Sequence, residues 1–423
     1  MSQPADGRPR AAIVVTGSEL VRGDRHDLNG PFLAGELLRL GLEPSRITIV
    51  GDRPDELEAA LADGLRHDLC LVSGGLGPTH DDRTIELLAR AAGRALVVDP
   101  GLEAEIEAFS RGIAERLRRP YAEFAEGVTK QATLPEGAAS IGLAGTAPGV
   151  VLDAGSSVAV ALPGPPPELR RLWQNALASE PVQRVLARVR APERRVLRFF
   201  GASESAVARA LAEAGGEAPG VEATICARDF EIHVDLFVEP GAEAAADALE
   251  RDLATPIERY LFARDERPVE GHVLDLCRAR GLTLATAESC TGGLVGARLT
   301  SVPGSSDVFL GGIVAYANET KEALLGVPPA LLAQHGAVSA ETAEAMAVGA
   351  RRTLAADVAV SVTGVAGPGG AGADKPVGLV FLHAEGPDGG CGLRFEFPGD
   401  RDAIRRRATA AALHLVRRLL SQS

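Results

Sequence analysis

The sequence predicts an α/β protein in three blocks: a parallel α/β block over 1–172, a small α+β block over 173–262 and a second α/β block over 263–423. Three observations predict it. In the first and last blocks, short apolar runs alternate with segments of helical period, the pattern of a parallel sheet covered by helices. The middle stretch instead reads β-α-β-β-α, which fits a split-βαβ unit. Finally, 423 residues exceed what one ordinary domain holds.

In the first block AAIVVTG (11–17) has the pattern of a buried strand, and DLNGPFLAGELLRLGL (27–42) carries apolar residues at helical spacing up to Gly41. ITIVGD (47–52) is a second strand, and RPDELEAALADGLRH (53–67) opens with proline and acids, as a helix N-terminus does. DLCLVSGGLG (68–77) runs a third strand into a glycine loop, and SVAVALPGPPPE (157–168) adds a buried strand and a rigid turn. The middle strands are VLRFFGA (196–202), VEATICAR (221–228) and EIHVDLFVE (231–239), with helices at ESAVARALAEAG and AEAAADALERDLATPIERYL. The last block begins with a helix at VEGHVLDLCRARG, a strand at LTLATAE and a helix from about Ser289. A strand at VFLGGIVAY (308–316), a helix at ETAEAMAVGARRTL (341–354) and a buried strand at DVAVSVTG (357–364) follow. GLVFLHAEG (378–386) and GLRFEFPG (392–399) form a hairpin, and an amphipathic helix from RDAIRRRAT ends the chain.

Hydrophobic residues at 46% and charged ones at 24% describe a soluble globular chain. Its net charge of −13 argues against a nucleic-acid partner, whereas backbone amides can still hold a small phosphorylated substrate. The five cysteines are scattered, without metal-ligand spacing or a disulfide framework. The apolar run near the start is too short for a signal sequence or membrane span, so a cytoplasmic protein with no membrane partner is expected.

The stretch TAESCTGG (286–293) sets Ser289 against Cys290 ahead of two glycines. A strand–turn–helix reading puts Ser289 at a helix N-terminus, where unpartnered amides stabilise an oxyanion and Gly292 and Gly293 admit a substrate to the backbone. The same pattern describes an ordinary serine cap. A nucleophilic serine needs a base, and His272, His335 and His383 sit in no polar, glycine-rich context. Lys321 and Lys375 each lie beside a strand end in a block that otherwise uses arginine. A desolvated lysine can act as a base, which arginine cannot; a helix cap or a loop-solvating charge is the other reading. Cys290 has no histidine to activate it and is assigned to packing behind the turn.

TAESCTGGLVGARLTSVPGSSDVFLGGIVAYANETKEALLG, HGAVSAETAEAMAVGA and SVTGVAGPGGAGADKPVGLVF together resemble the CinA C-terminal domain, the nicotinamide mononucleotide amidase family, over most of 268–412. The resemblance implies a three-layer α/β/α domain that converts nicotinamide mononucleotide to nicotinic acid mononucleotide and ammonia in pyridine nucleotide salvage. It implies Ser289 as nucleophile and Lys321 as base, with no cofactor for this step. The Y-x-N-x-x-K motif adds Tyr316 to the catalytic set and Asn318 to the substrate contacts. Thr291, Gly292, Gly293, Thr363, Gly364 and Lys375 are implied as further substrate contacts, and Arg405 as a phosphate contact. Gly311 stands where some stand-alone relatives carry arginine, a departure that bears on substrate preference.

In the first block, SGGLGPTHDDRT (73–84) puts glycines at the carboxyl end of a parallel strand, where anions and nucleotides bind. Asp81 and Asp82, with His80, offer ligands for a divalent metal, and equally the acids of a helix N-terminus. With VVTGSEL, GTAPG and LPGPPPE, the block resembles the molybdopterin-binding-like domain of CinA proteins over about 11–172. That resemblance implies a crevice lined by Thr16, Gly17, Glu19, Gly75 and Gly77, with Asp81 as its first functional position. It implies either a metal-dependent ADP-ribose pyrophosphatase or a non-enzymatic nucleotide- or pterin-binding regulatory module. The block departs from the family at Asp27, where an asparagine often precedes Asn29, and at Gly142. A homodimer is the expected assembly.

Overall fold

The computed structural model describes residues 9–125, 127–189, 193–228, 230–370, 372 and 374–422. The chain forms two compact units, Met1–Pro192 and Glu193–Ser423.

The first unit is built on a six-stranded sheet in the order Glu43–Val50, Arg10–Thr16, Leu69–Ser73, Val158–Leu162, Pro148–Asp153, Ala138–Leu143. The first four strands are parallel and the last two antiparallel. Leu69–Ser73 and Val158–Leu162 are buried on both faces, which is why they read as unbroken apolar runs. Leu33, Leu37 and Trp173 cover one face of the sheet, and Leu57, Leu61, Leu87 and Ile106 cover the other. The antiparallel pair over 138–153 was not anticipated, because GTAPG marks only its turn. Trp173, Ala176, Val182 and Val185 also belong to this core. Residues 173–186 therefore extend the first unit past 172, and the second begins at Glu193.

The second unit holds two sheets. The smaller is antiparallel, in the order Val221–Arg228, Glu231–Val238, Glu193–Phe200, Leu261–Ala263, with helices Glu204–Glu213 and Glu243–Ala254 packed on it. The larger runs Phe309–Val314, Leu284–Glu288, Val358–Gly364, Leu379–Gly386, Gly389–Glu396, the first three parallel and the last two a hairpin. Alternation sorts its side chains between two helical layers. Leu284, Val358, Val360 and Val362 face helices Val269–Arg280, Leu294–Thr300 and Arg401–Gln422. Ala285, Ala287 and Ala359 face helices Asn318–Leu325 and Ala340–Thr353. Those two helices touch so closely that a Cβ at Gly349 would lie 2.0 Å from the Leu325 carbonyl oxygen. The result is a three-layer α/β/α domain whose parallel strands deliver Glu288 and Val314 side by side to one end of the sheet. Among the described residues no helix is long and apolar enough to cross a membrane.

Candidate active site

The strand Leu284–Glu288 runs out at Ser289, whose amide donates to the Val362 carbonyl at 2.9 Å. Residues 290–293 are a turn, and the helix starts only at Leu294. Ser289 is therefore not the cap of that helix. Gly292 and Gly293 have φ of 61° and 96°, conformations that cost any other residue strain, so the turn itself requires the glycine pair.

The helix end expected to face the nucleophile is already occupied. The amides of Gly293, Val295 and Gly296 donate to the Glu288 carboxylate at 2.9, 3.1 and 2.9 Å, and Glu288 is 1% exposed. A buried carboxylate there satisfies the first helix amides and complements the positive end of the helix. With the helix starting at Leu294, the amides left to face an oxyanion are those of the turn, and Gly292 spends its own on the Ser289 carbonyl at 3.1 Å. What remains is the turn, where the amides of Cys290 and Thr291 donate to no backbone carbonyl among the described residues. Glu288 was missed in the sequence, although an acid closing the otherwise apolar strand LTLATAE just ahead of a helix was a usable signal.

Lys321, on the helix Asn318–Leu325, brings its Nζ to 3.3 Å from Ser289 Oγ. It also donates to the carbonyls of Ala315 at 2.9 Å and Tyr316 at 3.2 Å. Lys321 is 1% exposed and Ser289 8%. Burial lowers the lysine below its ordinary value, against smaller opposing pulls from Cys290 and Glu319. In the neutral amine, two N–H groups satisfy the two carbonyls and the lone pair is left for the Ser289 hydroxyl proton. Cys290 lies in the hydrophobic core, and burial pushes its thiol up to about 12. It stays protonated and packs behind the turn.

The remaining residues implied for this site divide into supports and surface groups. Tyr316 is 59% exposed, and its hydroxyl accepts from Arg401 at 2.9 Å, so the tyrosine meets Lys321 through its carbonyl rather than its phenol. Asn318 is exposed at the first position of its helix. Arg405 donates to the Thr291 carbonyl at 2.9 Å, which ties the C-terminal helix to the turn and places the guanidinium on protein backbone. Among the described residues, the buried Thr291 Oγ1 has no hydrogen-bond partner. Thr363 Oγ1 donates to the Ala337 carbonyl at 2.6 Å, and Lys375 Nζ to the His335 carbonyl at 2.9 Å. Gly364 is needed for packing, since a Cβ there would sit 2.6 Å from the Leu379 carbonyl oxygen.

In the first unit, Thr16 Oγ1 donates to Asp52 at 3.2 Å, and the Gly17 amide donates to the Val50 carbonyl at 3.0 Å. Glu19 is exposed. Gly75 and Gly77 admit no side chain, as a Cβ would lie 2.2 Å from Thr84 Oγ1 and 2.4 Å from Asp82 Oδ2 respectively. The Asp82 carboxylate accepts from the Thr79 amide at 3.0 Å and from its hydroxyl at 2.6 Å. Asp81 also accepts from that hydroxyl, which holds it below the usual carboxylate range, and His80 is 99% exposed. Among the described residues no three histidine, cysteine, aspartate or glutamate side chains gather as metal ligands. Asp81 and Asp82, the two carboxylates a divalent metal would meet here, both turn to Thr79. A cavity of about 230 Å³ is nevertheless lined by Gly75, Gly77, Asp82, Lys130 and Gln131. Lys130 donates to the Thr79 carbonyl and Gln131 to the Leu76 carbonyl. The chain has only three lysines, Lys130, Lys321 and Lys375, and that rarity was the signal for Lys130.

Residues 12–183 match the probable molybdopterin binding domain and residues 266–420 the CinA C-terminal domain. A CinA-like protein of Mycolicibacterium gilvum is 46% identical over 421 residues, covering 97% of this chain and 99% of that protein. A CinA-like protein of Mycobacterium tuberculosis is 43% identical over 426 residues, covering 97% of each. Among solved structures, the competence/damage inducible protein CihA of Agrobacterium tumefaciens is 38% identical, covering 38% of this chain and all of that one (100%), with a TM-score of 0.36. The two domain matches and the full-length relatives give one conclusion: the chain belongs to the family of CinA-like proteins.

Proposed function

We propose that the second unit hydrolyses the carboxamide of nicotinamide mononucleotide, releasing nicotinic acid mononucleotide and ammonia, through an acyl-enzyme on Ser289. The observation that supports this reading is the buried Lys321 amine at 3.3 Å from Ser289 Oγ, with two carbonyls taking its other positions. The substrate itself is suggested by the family resemblance of the motifs around both residues.

In the proposed reaction the neutral Lys321 takes the Ser289 proton as Oγ attacks the carboxamide carbon. The C–O bond forms and the carbonyl oxygen becomes an oxyanion, for which the turn amides at Cys290 and Thr291, which donate to no backbone carbonyl among the described residues, are main-chain candidates. Collapse breaks the C–N bond, and Lys321 returns its proton to the nitrogen, which departs as ammonia. Water, activated by the same amine, then cleaves the ester and regenerates Ser289. The residues provide every proton transfer, so the step calls for no metal.

The test is ammonia release from nicotinamide mononucleotide by the wild type, Ser289→Ala and Lys321→Ala, each with and without a chelator. Loss of activity in both variants, with no effect of the chelator, is the expected result. Full activity in both variants refutes the Ser/Lys assignment.

A further inference from the structure

The C-terminal helix Arg401–Gln422 touches both halves of the Ser289/Lys321 site. Arg401 and Arg405 stand four residues apart, so they lie one above the other on a single face of that helix. Arg405 Nη2 donates to the Thr291 carbonyl in the nucleophile turn, and a Cβ at Gly292 would lie 3.5 Å from the same nitrogen. Arg401 Nη2 donates to the Tyr316 hydroxyl at 2.9 Å, and Nη1 to the Gly367 carbonyl at 2.7 Å. Tyr316 in turn holds Lys321 through its own carbonyl at 3.2 Å. The Arg401 guanidinium is therefore one tyrosine side chain away from the residue carbonyl that holds the base.

Their partners separate these two arginines. Arg405 has the Asp402 carboxylate at 3.6 Å and is spent on the backbone of the turn. Both acceptors of Arg401 are neutral, and among the described residues it forms no ion pair with an acid. The acids on either side of it have other partners: Asp400 accepts from the Ala403 amide at 2.8 Å, and Asp402 faces Arg405. A guanidinium carries five N–H donors, and Arg401 is exposed, so the donors not given to Tyr316 and Gly367 are left for a ligand. Two neutral acceptors fix the plane of the fork without cancelling its charge, and such a fork matches the oxygens of a phosphate.

We propose that Arg401 reads the phosphate of the substrate, so that the site selects a nucleotide over the corresponding nucleoside. With the carboxamide at Ser289, the pyridine ring and the sugar lie along Tyr316, and the phosphate reaches the guanidinium at the far end of its phenol. The phosphate contact thus moves one helical turn, from Arg405, where the sequence places it, to Arg401. The choice of ligand rests on the amidase reading; the contact itself is a matter of binding and needs no turnover.

The test is isothermal titration calorimetry of the full chain carrying Ser289→Ala, with nicotinamide mononucleotide and separately with nicotinamide riboside. The nucleotide is expected to bind about tenfold or more tighter than the riboside, the worth of a charged hydrogen bond. Adding Arg401→Gln, which can still donate to Tyr316 and Gly367 but carries no charge, should abolish most of that preference and leave riboside affinity little changed. Tyr316→Phe removes the phenol that Arg401 holds and keeps the charge, so it should retain the preference. No saturable binding of the nucleotide, equal affinity for both ligands, or an unchanged preference in Arg401→Gln overturns the proposal. So does a loss in Tyr316→Phe as large as that in Arg401→Gln, which would make Arg401 only a prop for the tyrosine. A protein that binds the nucleotide through Arg401 but releases no ammonia loses the proposed reaction and keeps the contact. One that turns over both ligands with equal kcat/KM keeps the reaction and loses the contact.

Discussion

The Glu288 carboxylate accepts a 2.9 Å hydrogen bond from the amide of Gly296, eight residues further along the chain. With the bonds from Gly293 and Val295, it anchors a helix to the end of the nucleophile's strand from within the core. Glu288→Ala strips all three amides of their acceptor in a place water does not reach. Each buried orphan costs about 1–3 kcal/mol, so a loss of about 3 kcal/mol or more is expected in urea unfolding. Glu288→Gln, which presents an NH2 group to donors, should fall between. A Glu288→Ala protein as stable as the wild type would contradict the anchor.

Lys321→Arg keeps the charge but removes the base. Ammonia release is expected to fall by about 10²- to 10⁴-fold, the range of a lost general base. In the wild type, kcat/KM should rise with pH, because the active form of Lys321 is the deprotonated one. The midpoint should lie below the ordinary lysine value of about 10.4, since burial disfavours the ammonium. Stability should rise with pH in the same window, because there the unfolded lysine binds a proton that the folded one has lost. A rising limb at or above the ordinary lysine value would remove Lys321 as the base.

Cys290 should be inert. With its thiol pushed up to about 12, the thiolate fraction near neutral pH is vanishingly small. Iodoacetamide treatment followed by mass spectrometry should label the exposed Cys226 and leave the buried Cys290 unmodified. Ammonia release should survive both that treatment and Cys290→Ala. Inactivation tracking Cys290 alkylation would overturn the choice of Ser289.

The second unit should lose stability in mild acid. His414 is buried, stacks on Phe200 at 3.8 Å and hydrogen-bonds Glu231 at 2.7 Å. Burial pushes its pKa down; burial pulls the Glu231 carboxyl up, but hydrogen bonds from His233 and His414 outweigh that and hold it below its usual range. Below about pH 6.5 the unfolded histidine takes up a proton that the folded one refuses, so stability falls with pH, and Glu231 adds to the fall below about pH 4.3. Thermal midpoints measured across this range should decline. His414→Gln, able to donate to Glu231 without titrating, should lessen the decline between about pH 6.5 and 4.3. An unchanged slope there would exclude His414 as its source.

By itself the sequence determined the elements whose pattern is local. The apolar runs at 11–17, 68–73 and 357–364 declared buried strands, and helical spacing marked 27–42 and 341–354, because burial on a regular element repeats with that element's period. A tight turn after the strand was legible through Gly292 and Gly293, but its length was not. Tertiary structure alone decided the partners. Glu288 and the helix amides meet because a strand and the following helix pack at a set angle, so the helix begins at Leu294 instead of Ser289. Tyr316 turns its phenol to Arg401 and its carbonyl to Lys321, a choice of backbone over side chain that no motif spells out. Lys321 reaches Ser289 across 32 residues because two neighbouring parallel strands end at the same level of the sheet. Register and packing set those distances, and both depend on residues remote in the chain.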